Sequence, residues 1–264
     1  MEKNMRLIFV RHCDPDYEKD SLTEKGFKEA SFLSERVKNW NIAKAYSSPM
    51  GRALTTAKTA LSKNEYLQKN EISVLPWLRE FNYPVIDSET GEKRIAWDLL
   101  PDFFTDKKNR DLMDAENWQN SAFLKTGDIS SFYKTVCDGL DSILEEFDYK
   151  RDGMIYKTDR KEGQSDFLAK SHDVFKDFVD DRTVVIFCHL GVMFAMMSHL
   201  LNISAPCLWQ NFFVAPSSVT ILNSEERKPC IASWRVQQLG DTAHLYKNGE
   251  PPSSSGYFAS AFPL

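Results

Sequence analysis

The stretch from Val184 to Leu201 constrains this chain more than any other. It carries no Asp, Glu, Lys or Arg and approaches the ~20 residues of a bilayer span. A chain containing it either crosses a membrane or buries it inside a domain. The run opens on Val184-Val185-Ile186, as a strand buried on both faces does. It then meets His189 and Gly191 and resumes as Val192–Leu201, with His199 near its end. Two imidazoles and a glycine fit a buried strand, a tight turn and a buried helix, and the stretch is read that way.

The rest of the chain supplies partners for such a core. Leu7–Val10 is a second short apolar run. Thr23 is placed to cap a helix whose Phe27, Ala30, Leu33 and Val37 share one face. Ala43–Ser47 and Ile72–Leu75 read as strands, and Ser48-Pro49 opens a helix carrying Ala53, Thr56, Ala57 and Ala60. A further helix over about 165–180 leads into the strand Thr183–Cys188. Val219–Leu222 and Ile231–Val236 complete the strands. Strands alternating with helices predict an α/β fold, with a mostly parallel central sheet and helices on both faces. With 264 residues, 42% of them hydrophobic, the chain suits one large domain. Residues 81–160 read as an inserted helical cap, rich in aromatics and poor in strand pattern. It ends in a helix over about Asp128–Tyr149, with Asp128 as its cap. Residues 247–264, with Gly, Pro and three successive serines, read as a loosely attached tail.

Charge and cysteines narrow the class. Acidic residues outnumber basic ones, 38 to 33, for a net charge of −5. That argues against a nucleic-acid partner, and the burial of the apolar stretch argues against a membrane. The five cysteines are irregularly spaced and include no CxxC pair. They point to reduced thiols in a cytoplasmic protein rather than a disulfide or zinc framework. Cys13 and Cys188 are placed to meet behind the pocket if their strands are neighbours. The aromatics of the insertion allow a homodimer.

In parallel sheets ligands bind beyond the carboxyl ends of strands. Those places hold Arg11-His12, Ser47-Ser48-Pro49, Leu78-Arg79-Glu80 and His189-Leu190-Gly191. Arg11 and Arg52 offer planar forks for phosphate oxygens. His12 and His189 titrate near neutrality, and Glu80 is a candidate proton donor. The helix opening at Leu190 presents backbone N–H groups to an anion. Together they describe a cationic pocket for a small phosphorylated substrate.

Seven segments then fall into a known order. Leu7-Ile8-Phe9-Val10-Arg11-His12-Cys13 resembles the Arg-His-Gly signature of the histidine phosphatase superfamily, also called phosphoglycerate-mutase-like. Leu22-Thr23-Glu24-Lys25-Gly26, Ser47-Ser48-Pro49-Met50-Gly51-Arg52-Ala53 and Trp77-Leu78-Arg79-Glu80 resemble its following motifs. Gly163-Gln164-Ser165, Cys188-His189-Leu190-Gly191 and Asp241-Thr242-Ala243-His244-Leu245 resemble its last three. The resemblance implies a phosphomonoesterase that needs no metal and no cofactor. His12 would be the nucleophile, forming a phosphohistidine. Arg11, Arg52 and His189 would bind the transferring oxygens, with Leu190 at the helix start. Glu80 would protonate the leaving alcohol and then activate water. It also implies that the cap, with Trp97 and Trp118, shapes substrate choice.

The departures define the alternatives. Cys13 stands where the family usually has glycine, Gln164 replaces a common glutamate, and Leu190 replaces a glycine. The Cys13–Ser21 loop lacks the asparagine that mutases place there and is acidic through Asp14, Asp16 and Glu18. This favours a phosphatase over a mutase-type phosphoryl transferase. Cys13 and Leu190 leave a catalytically inactive phosphate-binding protein as the third reading. Arg79 is read as a surface or cap-contacting residue, and His172, His199 and His244 as structural.

Overall fold

The computed structural model describes residues 5–87, 90–158, 182–257 and 259. The chain opens with strand β1 (Arg6–Arg11) and a two-residue hairpin of β2 (Pro15–Asp16) and β3 (Ser21–Leu22). Helix α1 (Glu24–Val37) starts at Thr23, whose hydroxyl accepts from Gly26 N–H. Then come β4 (Lys44–Ser47), α2 (Gly51–Ala60), α3 (Tyr66–Lys69) and β5 (Ser73–Val74). The next segment holds a hairpin of β6 (Pro84–Ile86) and β7 (Lys93–Ile95), helix α4 (Pro101–Thr105) and three 3-10 turns between Lys107 and Gly127. Helix α5 (Ile129–Glu145) leads to β8 (Tyr149–Asp152) and β9 (Ile155–Thr158). The chain resumes with β10 (Thr183–Cys188), α6 (Leu190–Leu201) and α7 (Ala205–Asn211), and closes with β11 (Val219–Lys228), β12 (Ile231–Asp241) and α8 (Ala243–Tyr246). The expected helix over 165–180, with the Gly163-Gln164-Ser165 segment and His172, lies outside the described residues.

One eight-stranded sheet runs β5-β4-β10-β1-β11-β12-β9-β8. β5, β4, β10 and β1 are mutually parallel, and β11, β12, β9 and β8 continue the sheet antiparallel. Its centre follows directly from the sequence. Leu7 and Phe9 of β1, with Val184, Ile186 and Cys188 of β10, enter the larger core together with α5, α6 and α7. The alternate residues Ile8, Val10, Val185 and Phe187 enter a second core against α1 and α2. Both strands are buried on both faces, which is why they read as unbroken apolar runs. α6 is apolar for the same reason: residues 190–198 are all buried. Among the described residues no helix is long and apolar enough to cross a membrane.

Three expectations are corrected. The segment 81–160 is not strand-poor: it holds β6 and β7, and its end supplies β8 and β9 to the main sheet. Only the part up to about residue 127 lies outside the sheet-and-helix layers. Asp128 stands at the start of α5 but does not cap it. It sits at φ 53°, and its side chain makes no cap hydrogen bond. The tail is not loose over residues 250–257. Glu250 pairs with Lys25 at 2.7 Å and with Lys28 at 2.5 Å, Pro251 O accepts from Lys25 at 2.6 Å, and Ser253 Oγ bonds Asp14 Oδ1.

Candidate active site

The parallel register sets the pocket. Arg11 pairs with Cys188, so the residues that follow each strand, His12 and His189, emerge at one level. His12 N–H donates to Cys188 O at 3.0 Å, and Ser48 N–H donates to Phe187 O at 2.9 Å. The imidazoles of His12 and His189 face each other with centroids 5.1 Å apart. Glu80 follows the 3-10 turn Pro76–Leu78 beyond β5.

Each imidazole is held in a defined state. His12 Nδ1 lies 2.8 Å from Cys13 O. A carbonyl only accepts, so Nδ1 carries the ring proton and Nε2 keeps a lone pair. Burial, followed by the Arg11 charge, holds His12 well below the ordinary histidine range and keeps that ring neutral. His189 Nε2 lies 2.8 Å from Ser48 Oγ. Burial, then the neighbouring His12, keeps His189 neutral as well. Its Nδ1 is buried without a partner.

The arginines are anchored at part of their donors. Arg11 Nη1 donates to Val214 O at 2.6 Å and Nη2 to Ser255 O at 3.0 Å, while Nε has no partner. The guanidinium also lies over Phe213 at 5.4 Å, and Tyr257 stacks on Phe213 at 4.3 Å. Arg52, on the first turn of α2, pairs through Nη1 with Asp20 at 2.7 Å, and its Nε is likewise unpartnered. The same Asp20 carboxylate accepts from Gly51 N–H at 2.7 Å. A carboxylate on an arginine and a helix-start N–H occupies the kind of donor set that a phosphoryl group uses.

Glu80 Oε1 accepts from Phe81 N–H at 2.8 Å and from Val192 N–H at 3.2 Å. Burial raises its pKa above the ordinary carboxylate range. The start of α6 therefore spends the Val192 N–H on the acid. Leu190 leads that turn and its side chain packs into the larger core. A Cβ on Gly191 would stand 2.6 Å from Glu80 Oε1 and 2.9 Å from Trp97 Cδ1, so a side chain there would displace the acid or the indole.

His12, His189, Glu80, Arg11 and Arg52 are thus brought together, with Leu190 on the adjoining helix turn. Arg79 is exposed. His199 bonds Asp141 at 2.9 Å, and His244 bonds Ser217 Oγ at 3.2 Å, Ser217 in turn donating its N–H to His12 O at 3.0 Å. Trp118 does not line the site, because it is fully buried against Trp209 and Tyr133. Cys13 and Cys188 do not meet: Cys13 packs with Leu22 and Ala30, Cys188 in the larger core. Burial pushes both thiols up, far from a reactive thiolate. Sequence reasoning missed Asp20, Ser48, Val214 and Ser255. Ser48, Asp20 and Ser255 sat in segments already singled out but were given no role there, and Val214 and Ser255 act through main-chain carbonyls that no side-chain pattern reports.

Comparison with known proteins agrees with this frame. The model of the histidine phosphatase superfamily (branch 1) matches residues 3–121 and 140–237. No curated protein matches the chain in sequence. Among solved structures, a phosphoserine phosphatase of Entamoeba histolytica crystallised with phosphoserine is similar, with a TM-score of 0.52 and 16% identity over 91% of this chain and 99% of that one. A mycobacterial glucosyl-3-phosphoglycerate phosphatase scores 0.51 at 17% identity, over 90% and 99% of the two chains. The α-ribazole phosphatase of Shigella flexneri scores 0.51 at 19%, over 90% and 97%. At these identities the structures speak to the fold, and the family model covers most of the chain: this protein belongs to the histidine phosphatase superfamily, branch 1.

Proposed function

We propose that this protein is a phosphomonoesterase that works through a phosphohistidine on His12. One observation carries the reading: Arg11 Nε, Arg52 Nε and His189 Nδ1 are buried without partners in the site that holds His12. Buried polar groups are nearly always paired, and an unmade bond costs about 1–3 kcal/mol. Three such groups beside one neutral imidazole constitute a preorganised site for the oxygens of a phosphoryl group.

The steps follow from the protonation states. The Nε2 lone pair of His12 attacks phosphorus in line, and the ester P–O bond breaks. The leaving oxygen keeps that electron pair and takes the Glu80 proton, which burial keeps on the carboxyl to higher pH than usual. Arg11, Arg52 and His189 stabilise the charge that redistributes over the transferring oxygens. Glu80, now a carboxylate, takes a proton from water. The water oxygen attacks phosphorus, and the P–N bond breaks back to a neutral His12.

The test is hydrolysis of 4-nitrophenyl phosphate by the purified protein in excess chelator, beside His12→Ala. Turnover that persists in chelator and is lost in His12→Ala supports the reading. Binding of inorganic phosphate without turnover by the wild type replaces it with a phosphate-binding protein.

A further inference from the structure

We infer that Glu29 is a positioning residue for the nucleophile, acting on His12 through the Cys13–Asp14 peptide. This rests on the phosphomonoesterase reading and deepens it. His12 Nδ1 donates to Cys13 O at 2.8 Å. The N–H of the same peptide unit, on Asp14, donates to Glu29 Oε2 at 2.8 Å. Imidazole, peptide and carboxyl therefore form one chain of hydrogen bonds that ends on Nδ1 of the reacting ring.

The start of α1 is shaped to hold that peptide. Thr23 N–H donates to Asp14 O at 3.1 Å, and Thr23 Oγ1 donates to Asp14 Oδ2 at 2.6 Å. Gly26 admits the Asp14 carbonyl, whose oxygen would lie 2.2 Å from a Cβ there. Glu29 follows three residues further along the same face of the helix. From the other side, Thr56 Oγ1 accepts from Cys13 N–H at 3.0 Å.

The carboxyl is committed to this peptide. Glu29 is fully buried, at a cost an apolar residue would not incur. Its one hydrogen bond among the described residues is to Asp14 N–H. Oε1 has no hydrogen-bond partner, with Lys25 Nζ 3.7 Å away. Oε2 can accept in either protonation state, because a proton has Oε1 to occupy. Amide resonance couples the two ends of the peptide. An N–H drawn toward a carboxyl makes its own carbonyl a better acceptor, and bonds in a chain strengthen one another. Cys13 O thus holds the Nδ1 proton more firmly, which fixes the orientation of the ring and makes Nε2 a stronger nucleophile. The arrangement resembles the carboxylate behind the imidazole of a Ser-His-Asp triad, with a peptide inserted between them.

The test follows the His12 Nδ1 proton by NMR in protein carrying isotope-labelled histidine, the signal being assigned by its loss in His12→Ala. Wild type, Glu29→Met and Glu29→Gln are compared. Glu29→Met keeps the bulk and removes the acceptor, so the signal should move upfield. Its kcat/KM for 4-nitrophenyl phosphate should fall about fivefold, the scale of one neutral hydrogen bond. Inhibition by inorganic phosphate should be unchanged, because the arginines that would bind it are untouched. Glu29→Gln keeps an acceptor and should restore both signal and rate. If Glu29→Met does not fold, Glu29→Asp, whose carboxyl falls one methylene short, takes its place with the same readouts. An unmoved signal in the folded variant overturns the assignment, as does a moved signal with wild-type kcat/KM. Phosphate inhibition that weakens in step with the rate overturns it too, since that marks general damage to the site. So does Glu29→Gln behaving as Glu29→Met does. If the wild type hydrolyses nothing, the phosphomonoesterase reading fails separately, and the signal alone decides on Glu29.

Discussion

Glu80 and His12 are displaced from their ordinary protonation ranges in opposite senses, and both displacements suit the proposed chemistry. The raised Glu80 pKa keeps the acid protonated to higher pH than an ordinary carboxyl, while the lowered His12 pKa keeps the nucleophile's lone pair free to lower pH than an ordinary imidazole. kcat/KM should therefore hold through mildly acidic pH and fall as pH rises through the Glu80 pKa, as a pH–rate profile will show. Glu80→Gln should remove that alkaline limb. It should also slow alkyl phosphates, whose leaving oxygen needs the proton, by about 10²–10⁴, and slow the first step on 4-nitrophenyl phosphate much less. Cys13 makes a second case at this scale. It follows the nucleophile where glycine is usual, yet its backbone is not in the left-handed region that would require glycine. Its side chain is fully buried with Leu22 and Ala30, and its N–H donates to Thr56 Oγ1 at 3.0 Å. The larger residue is thus accommodated by packing. Cys13→Gly should lower unfolding stability by about 1–2 kcal/mol in urea titration, from lost packing and added chain freedom, and should leave kcat/KM no higher.

Among the elements, the C-terminal segment reaches furthest into the site. Ser255 O holds one arm of Arg11, and Val214 O holds the other. Gly256 passes so close that a Cβ would stand 3.1 Å from Arg11 Nη2, at a φ of +80° that glycine alone adopts readily. Truncation before Glu250 should free half of the guanidinium anchor. KM for phosphomonoesters should rise about tenfold or more, the scale of one hydrogen bond to a charged group, with a smaller change in kcat. A fall in KM on truncation would mean that the segment obstructs the site instead. Such a role was not legible in the sequence, because it is exerted through main-chain carbonyls that no side-chain pattern reports. The site-bearing strands were legible for the opposite reason. β1 and β10 are buried on both faces, so their residues must be apolar, and the parallel arrangement directs attention to whatever follows them. β8 and β9 were missed because Tyr149-Lys150-Arg151-Asp152 lies at the sheet edge, where water covers the polar side chains. The Asp152-Gly153 turn between them, with Gly153 at φ 61°, was the available signal.

The molecule as a whole buries titratable groups that oppose one another across the acidic range. Glu29 is fully buried on α1, accepts from Asp14 N–H at 2.8 Å, and is pushed up to about 7 by burial. It keeps its proton in the folded state where the unfolded chain, near 4.5, has lost it. Its contribution is therefore complete below 4.5 and is lost as pH rises through about 7. His244 is buried against Ser217 and Arg36 and is lowered to about 4, first by burial and then by the Arg36 charge. It stays neutral where the unfolded chain, near 6.5, takes up a proton. Its contribution is complete above 6.5 and is lost as pH falls toward 4. Each is worth up to about 3 kcal/mol at its limit, so the two nearly cancel between 4.5 and 6.5. His12 and His189 are lowered as well and add to the His244 side. Wild-type stability should therefore decline on acidification from pH 7 to 5. Glu29→Gln removes one of two carboxyls raised by burial among the described residues, the other being Glu80, that oppose this decline and should steepen it, whereas His244→Asn should flatten it. Urea unfolding of the three proteins at pH 5, 6 and 7 measures the slopes directly. A Glu29→Gln slope parallel to the wild type would show that Glu29 is ionised in the folded protein as in the unfolded chain, and a parallel His244→Asn slope that His244 takes up its proton at the same pH in both states.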